Sequence, residues 1–354
     1  MIARMIPLYN LRAVGWAESQ AIYHAQAHLG LPALNLLWPG EPYVCLGRFQ
    51  DLELEVDVPE CRQRGLPIVR REVGGGAVYL DAGQVFYQLV LPLSWLGQTY
   101  DYRWLFRLGL DGVALALKRL GINACIRGAN DVAVGRRKIS GNGAGEVGRA
   151  AVVVGNILLS FDYEAMAAVL RFADEKLRDK AYRSMRDNLV TLSELGSSAT
   201  NLEVAAVLAT ALTETLVPAY ELEAAPALPQ EVRDCLPEVT ARLTSEAWLM
   251  QVHHRREERR LRIRQGLEIR ENLWKAPGGL LRCHSAVEDG RLAWLALSGD
   301  IFVHPPEALA QLEQALSGLA LSQVKEAAAR FLARPGVFLP GVSPEDVERV
   351  VAGT

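Results

Sequence analysis

The chain has 354 residues, a formal net charge of −3 and an apolar content of 50%. This length predicts two domains, or one large and one small. The charge gives no electrostatic reason to expect nucleic acid or an anionic membrane as a partner, and no apolar run is long enough to predict a membrane-spanning helix.

The positions of the cysteines and histidines limit which catalytic mechanisms and metal sites are possible. The 5 cysteines are odd in number and far apart, and the N-terminal segment lacks a secretory core, so we expect reduced thiols and a cytoplasmic protein. No histidine lies between residues 29 and 252, which excludes a serine–histidine–aspartate triad, a cysteine–histidine pair or a histidine metal site within that segment. Catalysis there must use lysine, arginine, carboxylates and backbone amides.

The first two thirds of the chain predict an α+β fold. Neighbouring strands with short turns favour a mixed or mostly antiparallel sheet with flanking helices over a doubly wound parallel sheet. In chain order, the predicted elements are a helix at 16–29 that ends at Gly30, a strand at 85–91, a helix at 104–120, a hairpin of 131–134 with 137–140, a strand at 151–159, and helices at 163–170 and 201–216.

The rest of the chain predicts a small second α+β domain. The proline-containing segment 221–237 predicts a linker or irregular surface, and the charge run at 253–264 predicts a solvated helix face or connector. We therefore expect a catalytic domain at 1–250, a connector at 251–265 and an accessory domain at 266–354. In the accessory domain the pattern predicts strands at 266–274, 279–287 and 291–297, then helices at 306–316, 323–332 and 344–351.

The most informative motif reads RREVGGGAVY at 70–79. Its two arginines offer planar, bidentate groups for a phosphate or carboxylate. Glycines 74–76 lack Cβ atoms, so their backbone N–H groups can approach an anion closely. A second block, NDVAVGRRKISG at 130–141, adds a lysine, Lys138. These groups together are typical of a site that binds ATP beside a small carboxylic acid.

Lys138 is the candidate for the central charge of this site. Joining an acid to an amine in water is unfavourable until the acid is activated, and reaction with ATP gives an acyl-adenylate. Lys138 would bridge the carboxylate and the α-phosphate, which lowers their repulsion and stabilises charge in transfer. Asp131 would ligate Mg²⁺, orient Lys138, or belong to an ordinary turn. Asn130 is a candidate for contacting the adenine or the ribose.

These blocks resemble the lipoate–protein ligase A family, within the biotin and lipoate ligase superfamily. The family pattern has two arginines, two residues, three glycines, Ala-Val and an aromatic residue, and later Asn-Asp, a hairpin and Lys-x-Ser-Gly. Weaker matches are LNLLWPGEPYVCLGRFQD at 34–51, VVVGNILLSFD at 152–162 and RDNLVTLSEL at 186–195. The resemblance covers roughly 10–250, and from about 258 it is a looser similarity to the accessory domain of full-length ligases. It implies a catalytic domain like those of class II synthetases and biotin ligases.

The resemblance also implies roles for residues. It places the nucleotide against Arg71 and the run Gly76, Ala77, Val78 and Tyr79, beside the candidates Asn130, Asp131 and Lys138. Arg70 is expected to be a supporting or acyl-side residue, and Gly74 and Gly75 are expected to curl around the phosphate and the acyl chain. Candidate walls of the acyl slot include Val73 and Tyr87, which core packing explains equally well.

The implied reaction uses ATP and Mg²⁺ to activate lipoate or octanoate, and transfers the acyl group to a lysine of a glycine-cleavage-H-like protein or a dehydrogenase E2 lipoyl domain. The accessory domain would reorient after adenylate formation, hinging near 250–265. The basic segment 174–187 is interpreted as a closing loop or a solvated connector, and GNGAG at 141–145 as a flexible loop that lines the site. The chain departs from the family at Leu80 and Val154, where histidine is common, and at Gln84, where asparagine is common.

Two alternatives stay open. One is an octanoyltransferase that depends on acyl carrier protein and uses a cysteine thioester without ATP, with Cys125 the cysteine nearest in sequence to Asn130. The other is a non-catalytic lipoate-binding protein on the ligase fold. A biotin ligase is disfavoured because its GRGR-type loop is absent from the sequence.

Overall fold

Runs of apolar and β-branched residues form the strands of the protein. The computed structural model describes residues 4–97, 100–171, 175–217, 219–260 and 267–353. Its strands are β1 (Arg4–Val14), β2 (Ala33–Pro39), β3 (Tyr43–Leu46), β4 (Ile68–Arg70), β5 (Val78–Leu80), β6 (Gln84–Pro92), β7 (Cys125–Arg127), β8 (Asp131–Val134), β9 (Arg137–Val147), β10 (Ala150–Leu158), β11 (Tyr220–Ala224), β12 (Glu268–Ala276), β13 (Gly279–Glu288) and β14 (Arg291–Gly299).

Many of the helices begin at a side chain that accepts a hydrogen bond from the first turn, such as Asp101, Asp162 and Thr200. No helix in the described ranges is long and apolar enough to cross a lipid bilayer. The helices are α1 (Glu18–Leu29), α2 (Leu52–Glu55), α3 (Val58–Gln63), α4 (Leu93–Leu96), α5 (Tyr102–Arg119), α6 (Tyr163–Val169), α7 (Glu175–Asn188), α8 (Asn201–Leu216), α9 (Gln230–Thr244), α10 (Glu246–Leu249), α11 (Gln251–Arg260), α12 (Ala308–Leu316), α13 (Val324–Leu332) and α14 (Pro344–Ala352).

Eight strands form one sheet in the order β11-β1-β2-β6-β10-β9-β8-β7. β1 is parallel to both β2 and β11, and the remaining pairs are antiparallel. The predicted mixed, mostly antiparallel sheet with flanking helices is therefore confirmed. A second, small sheet has the order β4-β3-β5. β4 ends at Arg70, and the segment that joins it to β5 carries Arg71 and the three glycines.

Three segments that the sequence predicts as irregular are regular. GNGAG at 141–145 is part of β9 and pairs with β10, so the prediction of a flexible loop is wrong. Its glycines are explained by close packing, because a Cβ on Gly143 would lie 3.1 Å from a Val73 methyl group. Within 221–237, residues 221–224 belong to β11 and residues 230–237 begin α9, which leaves 225–229 as the irregular connection. Residues 175–187 lie in α7 instead of a loop.

The accessory part has an antiparallel sheet, β12-β13-β14, covered by α12, α13 and α14, as predicted. It docks on the catalytic part through exchanged aromatic residues. Phe302 packs in the catalytic core, 5.3 Å from Phe106 between ring centroids, whereas Phe49 packs in the accessory core. Arg282 on β13 adds an ion pair to Glu55 at 2.8 Å. The expected domain boundaries at 250 and 265 stay predictions, and residues 261–266 lie outside the described residues.

Candidate active site

Arg70 supports the fold of the motif and does not face a ligand. Its side chain is fully buried, and its guanidinium donates to the backbone oxygens of Gly47 at 2.9 Å and Gln50 at 2.7 Å. Further bonds reach the carbonyls of Arg48 and Leu249. A planar guanidinium has several donors in a fixed fork, which suits a cage of carbonyl groups. Of the two predicted roles for Arg70, these contacts favour the supporting one, and Arg70 does not line the cavity described below.

Glu72 anchors the other end of the arginine segment. It is 8% exposed and accepts from Arg242 at 2.7 Å and from His28 at 2.8 Å. Burial by itself raises the pKa of Glu72, but these hydrogen bonds outweigh it and hold the pKa well below its usual range. The Glu72 backbone N–H also donates to His24, whose pKa burial lowers to about 4. The sequence did not predict either histidine as part of the site. Both hold Glu72 and thereby orient the arginine segment.

Arg71 and the accessory domain shape the glycine loop. The Arg71 guanidinium donates to the carbonyl oxygens of Gly74 at 2.8 Å and Gly76 at 2.9 Å. Gly75 has a φ of +92°, which glycine adopts readily, and its N–H donates to the Ile301 carbonyl at 3.0 Å. A Cβ on Gly74 would lie 2.3 Å from the same carbonyl oxygen. The glycines therefore make room for the accessory domain as well as for a ligand.

Lys138 is placed by the β8–β9 hairpin, as the sequence predicts. Its Nζ lies 2.7 Å from an Asp131 carboxylate oxygen, and the two side chains are 30% and 22% exposed. A Cβ on Gly141 would lie 2.8 Å from Nζ. Because glycine has no Cβ, the Lys138 ammonium can lie over β9 at this point. Of the three readings of Asp131, the geometry supports orientation of Lys138.

Buried polar side chains support the floor of the site. Tyr87 donates to Asn142 at 2.7 Å, and burial raises the pKa of the Tyr87 hydroxyl. Asn156 donates to Gln84 at 2.8 Å, and Gln84 donates to the backbone of Tyr79 at 3.1 Å. Paired in this way, these groups escape the cost of an unsatisfied buried polar atom. Gln84, which stands where asparagine is common in the family, thus positions β5.

These groups surround a cavity of about 440 Å³. Lys138, the glycine loop and apolar side chains meet there, which suits a charged head group with an apolar tail. The predicted site residues that line it are Arg71, Gly74, Gly75, Gly76, Val78, Tyr79, Tyr87, Asn130 and Lys138.

Other predicted residues lie outside the cavity wall. Val73 is fully buried in the catalytic core and does not line this cavity, which favours the core-packing alternative. Ala77 is partly buried against a side cluster beneath β5 and does not line this cavity, so its contact with the nucleotide stays a prediction. Cys125 is exposed on the edge strand β7 and is also outside the wall.

The cavity also contains residues that the sequence reasoning missed. Most are single polar or aromatic residues on distant elements. They include Gln20, Tyr23, Cys45, Asn156 and Phe302. Asn142 also lines the cavity, within the segment 141–145 that was expected to line the site.

The chain is similar in sequence to a lipoate–protein ligase and to an octanoyltransferase. Lipoate–protein ligase 1 of Staphylococcus aureus is 28% identical over 189 residues, which cover 53% of this chain and 56% of the relative. The match thus spans about half of that relative's length. Octanoyltransferase LipM of Kyrpidia tusciae is 28% identical over 254 residues, which cover 65% of this chain and 91% of the relative.

The protein also resembles a solved structure in its fold. The bipartite lipoate protein ligase of Thermoplasma acidophilum has a TM-score of 0.61 and 25% identity, and the match covers 70% of this chain and 96% of that one. The model of the lipoyl protein ligase A/B catalytic domain matches residues 13–213, which is more than half of the chain. The protein therefore belongs to the lipoyl protein ligase A/B catalytic domain family.

Proposed function

We propose that the protein is an ATP-dependent lipoate–protein ligase, which activates lipoate or octanoate as an acyl-adenylate and transfers the acyl group to a lysine of a lipoyl-acceptor domain. The observation that carries the proposal is the Lys138 ammonium, held by Asp131 at 2.7 Å and set in a cavity that also contains Arg71 and the glycine loop. The same cavity is lined by aromatic and aliphatic side chains that suit an acyl tail.

Activation joins two negatively charged groups. One carboxylate oxygen of the acid attacks the α-phosphorus of ATP, an oxygen–phosphorus bond forms, and pyrophosphate leaves. Lys138 lowers the repulsion between the two anions and stabilises the charge that develops at the phosphoryl oxygens. In the second step the acceptor amine attacks the acyl carbonyl carbon and AMP leaves. The adenylate is hydrolysed by water, so exclusion of water from the cavity during the reaction favours transfer over loss.

ATP would enter with Mg²⁺ bound mainly by its phosphates. Among the described residues no group of three metal-binding side chains comes together. Asp131 is the candidate protein ligand, and a site with few protein ligands fits the habit of Mg²⁺ of keeping phosphate and water oxygens around it. Mg²⁺ when bound would neutralise the phosphates, while Lys138 stays at the reacting carboxylate.

Relatives support these substrates. Two solved structures of this fold are a lipoate-protein ligase A with bound ATP and a putative lipoate protein ligase from Thermoplasma acidophilum with bound lipoic acid. The ligase from Thermoplasma acidophilum is described together with its E2 lipoyl domain, so we propose such a domain as the acceptor here.

The test is exchange of labelled pyrophosphate into ATP that depends on lipoate or octanoate. We expect exchange in the wild type, and its loss in Lys138→Ala. Acid-independent exchange, or none with either acid, would refute the adenylation step.

A second candidate is a cysteine-dependent octanoyltransferase, which the relative from Kyrpidia tusciae favours. Within the described residues the one cysteine that lines the cavity is Cys45, with its Sγ 3.5 Å from an Arg71 nitrogen. Octanoyl transfer from an acyl carrier protein, without ATP and abolished by Cys45→Ser, would support this candidate. Cys125→Ser is the matched control, because that residue is exposed and outside the cavity.

A further inference from the structure

Resting on the proposed function, we infer that Phe302 of the accessory domain forms part of the acyl-binding wall and limits the chain length that the site accepts. The accessory domain would then be a part of the substrate site in this docked arrangement. Phe302 lines the same cavity as Lys138.

Phe302 is wedged between two glycines of the catalytic domain. A Cβ on Gly75 would lie 3.1 Å from the ring, and a Cβ on Gly143 would lie 3.4 Å from it. The ring is 6% exposed and makes an edge-to-face contact with Phe106. Both glycine positions therefore keep space that this one aromatic ring fills, and the ring has little freedom to move aside.

The backbone next to Phe302 holds the ring in place. The Ile301 carbonyl accepts the Gly75 N–H at 3.0 Å, and the Gly299 N–H donates to the Phe49 carbonyl at 2.9 Å. These bonds tie the segment that leads into Phe302 to the catalytic domain. The position of the wall therefore depends on docking of the accessory domain.

The tail of a medium-length acid held at Lys138 is long enough to reach this wall. Lys138 Nζ lies over Gly141, and Gly143 is two residues further along β9. At about 3.4 Å per residue, the ring stands roughly 7 Å along the strand from the ammonium. A carboxylate held at Lys138 can thus direct its tail toward Phe302, beside the aromatic wall of Tyr23 and Tyr87.

The consequence is a chain-length preference. A tail that just reaches the ring packs against it, and a longer tail must occupy the volume that the ring fills. Removing the ring should therefore weaken binding of octanoate and improve binding of dodecanoate, because the cavity left behind is apolar and available to the additional methylene groups.

The test compares octanoate with dodecanoate in the full chain carrying Phe302→Ala. Calorimetric binding of each acid and acid-dependent pyrophosphate exchange are both measured. We expect the octanoate-to-dodecanoate ratio to fall at least tenfold in both. Phe331→Ala is the matched control, because that ring is 1% exposed in the accessory core and lies outside the cavity wall. It should lower the unfolding temperature and leave the ratio unchanged.

An unchanged ratio in folded Phe302→Ala, or an equal change in Phe331→Ala, would overturn the inference. If Phe302→Ala does not fold, Phe302→Trp carries the test, with an expected shift in favour of hexanoate over octanoate, and no shift would overturn it. Acid binding without pyrophosphate exchange in the wild type would refute the proposed function alone, since the binding ratios would still report on Phe302.

Discussion

Replacement of Lys138 by alanine should separate catalysis from stability. The change removes an ammonium that lies 2.7 Å from Asp131 and lines the cavity, without touching the core. A preorganised group that stabilises charge in the transition state contributes about 2.7–4 kcal/mol. We therefore expect exchange of pyrophosphate to fall by about 10²- to 10³-fold in the variant.

The cost to folding should be small. The two side chains of the pair are 30% and 22% exposed, and pairs that solvent can screen contribute about 1 kcal/mol or less. For a chain of this size, that corresponds to a fall in unfolding temperature of about 2–4 °C at most. The prediction is thus a large loss of activity with an almost unchanged melting curve.

Arg137→Ala is the matched control, since Arg137 precedes Lys138 on β9 and its ion pair to Glu194 spans 3.6 Å. Arg137 is 41% exposed and outside the cavity wall, so its loss should change exchange by less than about twofold. Acid-dependent exchange and thermal unfolding are measured for both variants. Equal losses of activity in both, or a Lys138→Ala enzyme within about fivefold of wild type, would refute the reasoning.

Three further predictions test the surroundings of the site. Gly141→Ala should push the flexible Lys138 side chain aside, because the new Cβ would lie 2.8 Å from Nζ, so exchange should fall by about tenfold or more with little change in unfolding temperature; full activity would contradict it. Tyr87→Phe leaves the Asn142 oxygen without its donor and should cost about 1–3 kcal/mol in urea unfolding, where no change would contradict the role of this bond. The depressed pKa of Glu72 means that its stabilisation is present above the unfolded pKa of about 4.3 and is lost as the pH falls through the folded value. The difference in urea midpoint between wild type and Glu72→Gln should therefore be large at pH 7 and shrink below about pH 4, and a constant difference would contradict the prediction.

The sequence predicted elements well where local patterns decide them. The helix at 16–29 ends at Gly30, which adopts a left-handed φ of 73°, and the 131–140 hairpin turns where it was expected. Local patterns gave a wrong prediction where close tertiary packing requires residues without side chains. The glycines of 141–145 look like a loop in isolation, yet they are a strand whose missing side chains admit neighbouring rings and methyl groups.

Arg70 and Arg71 show the same limit within one motif. Adjacent in sequence, they alternate in direction at the end of a strand, so one is fully buried among carbonyl groups and the other reaches the cavity. The motif predicted a pair of anion-binding arginines. Which of them faces a ligand depends on where the segments around Gly47 and Leu249 lie, and no local periodicity encodes that position.

By itself, the sequence determined the family motifs, the mixed sheet and the place of Lys138 on a hairpin, because short-range spacing sets turns, strand alternation and the glycine-rich loop. Only the tertiary structure decided that Phe302 completes the cavity wall, that His24 and His28 orient the arginine segment, and that the Gly75 amide is engaged by the accessory domain. Those contacts join segments far apart along the chain, and they arise from close packing of the folded domains.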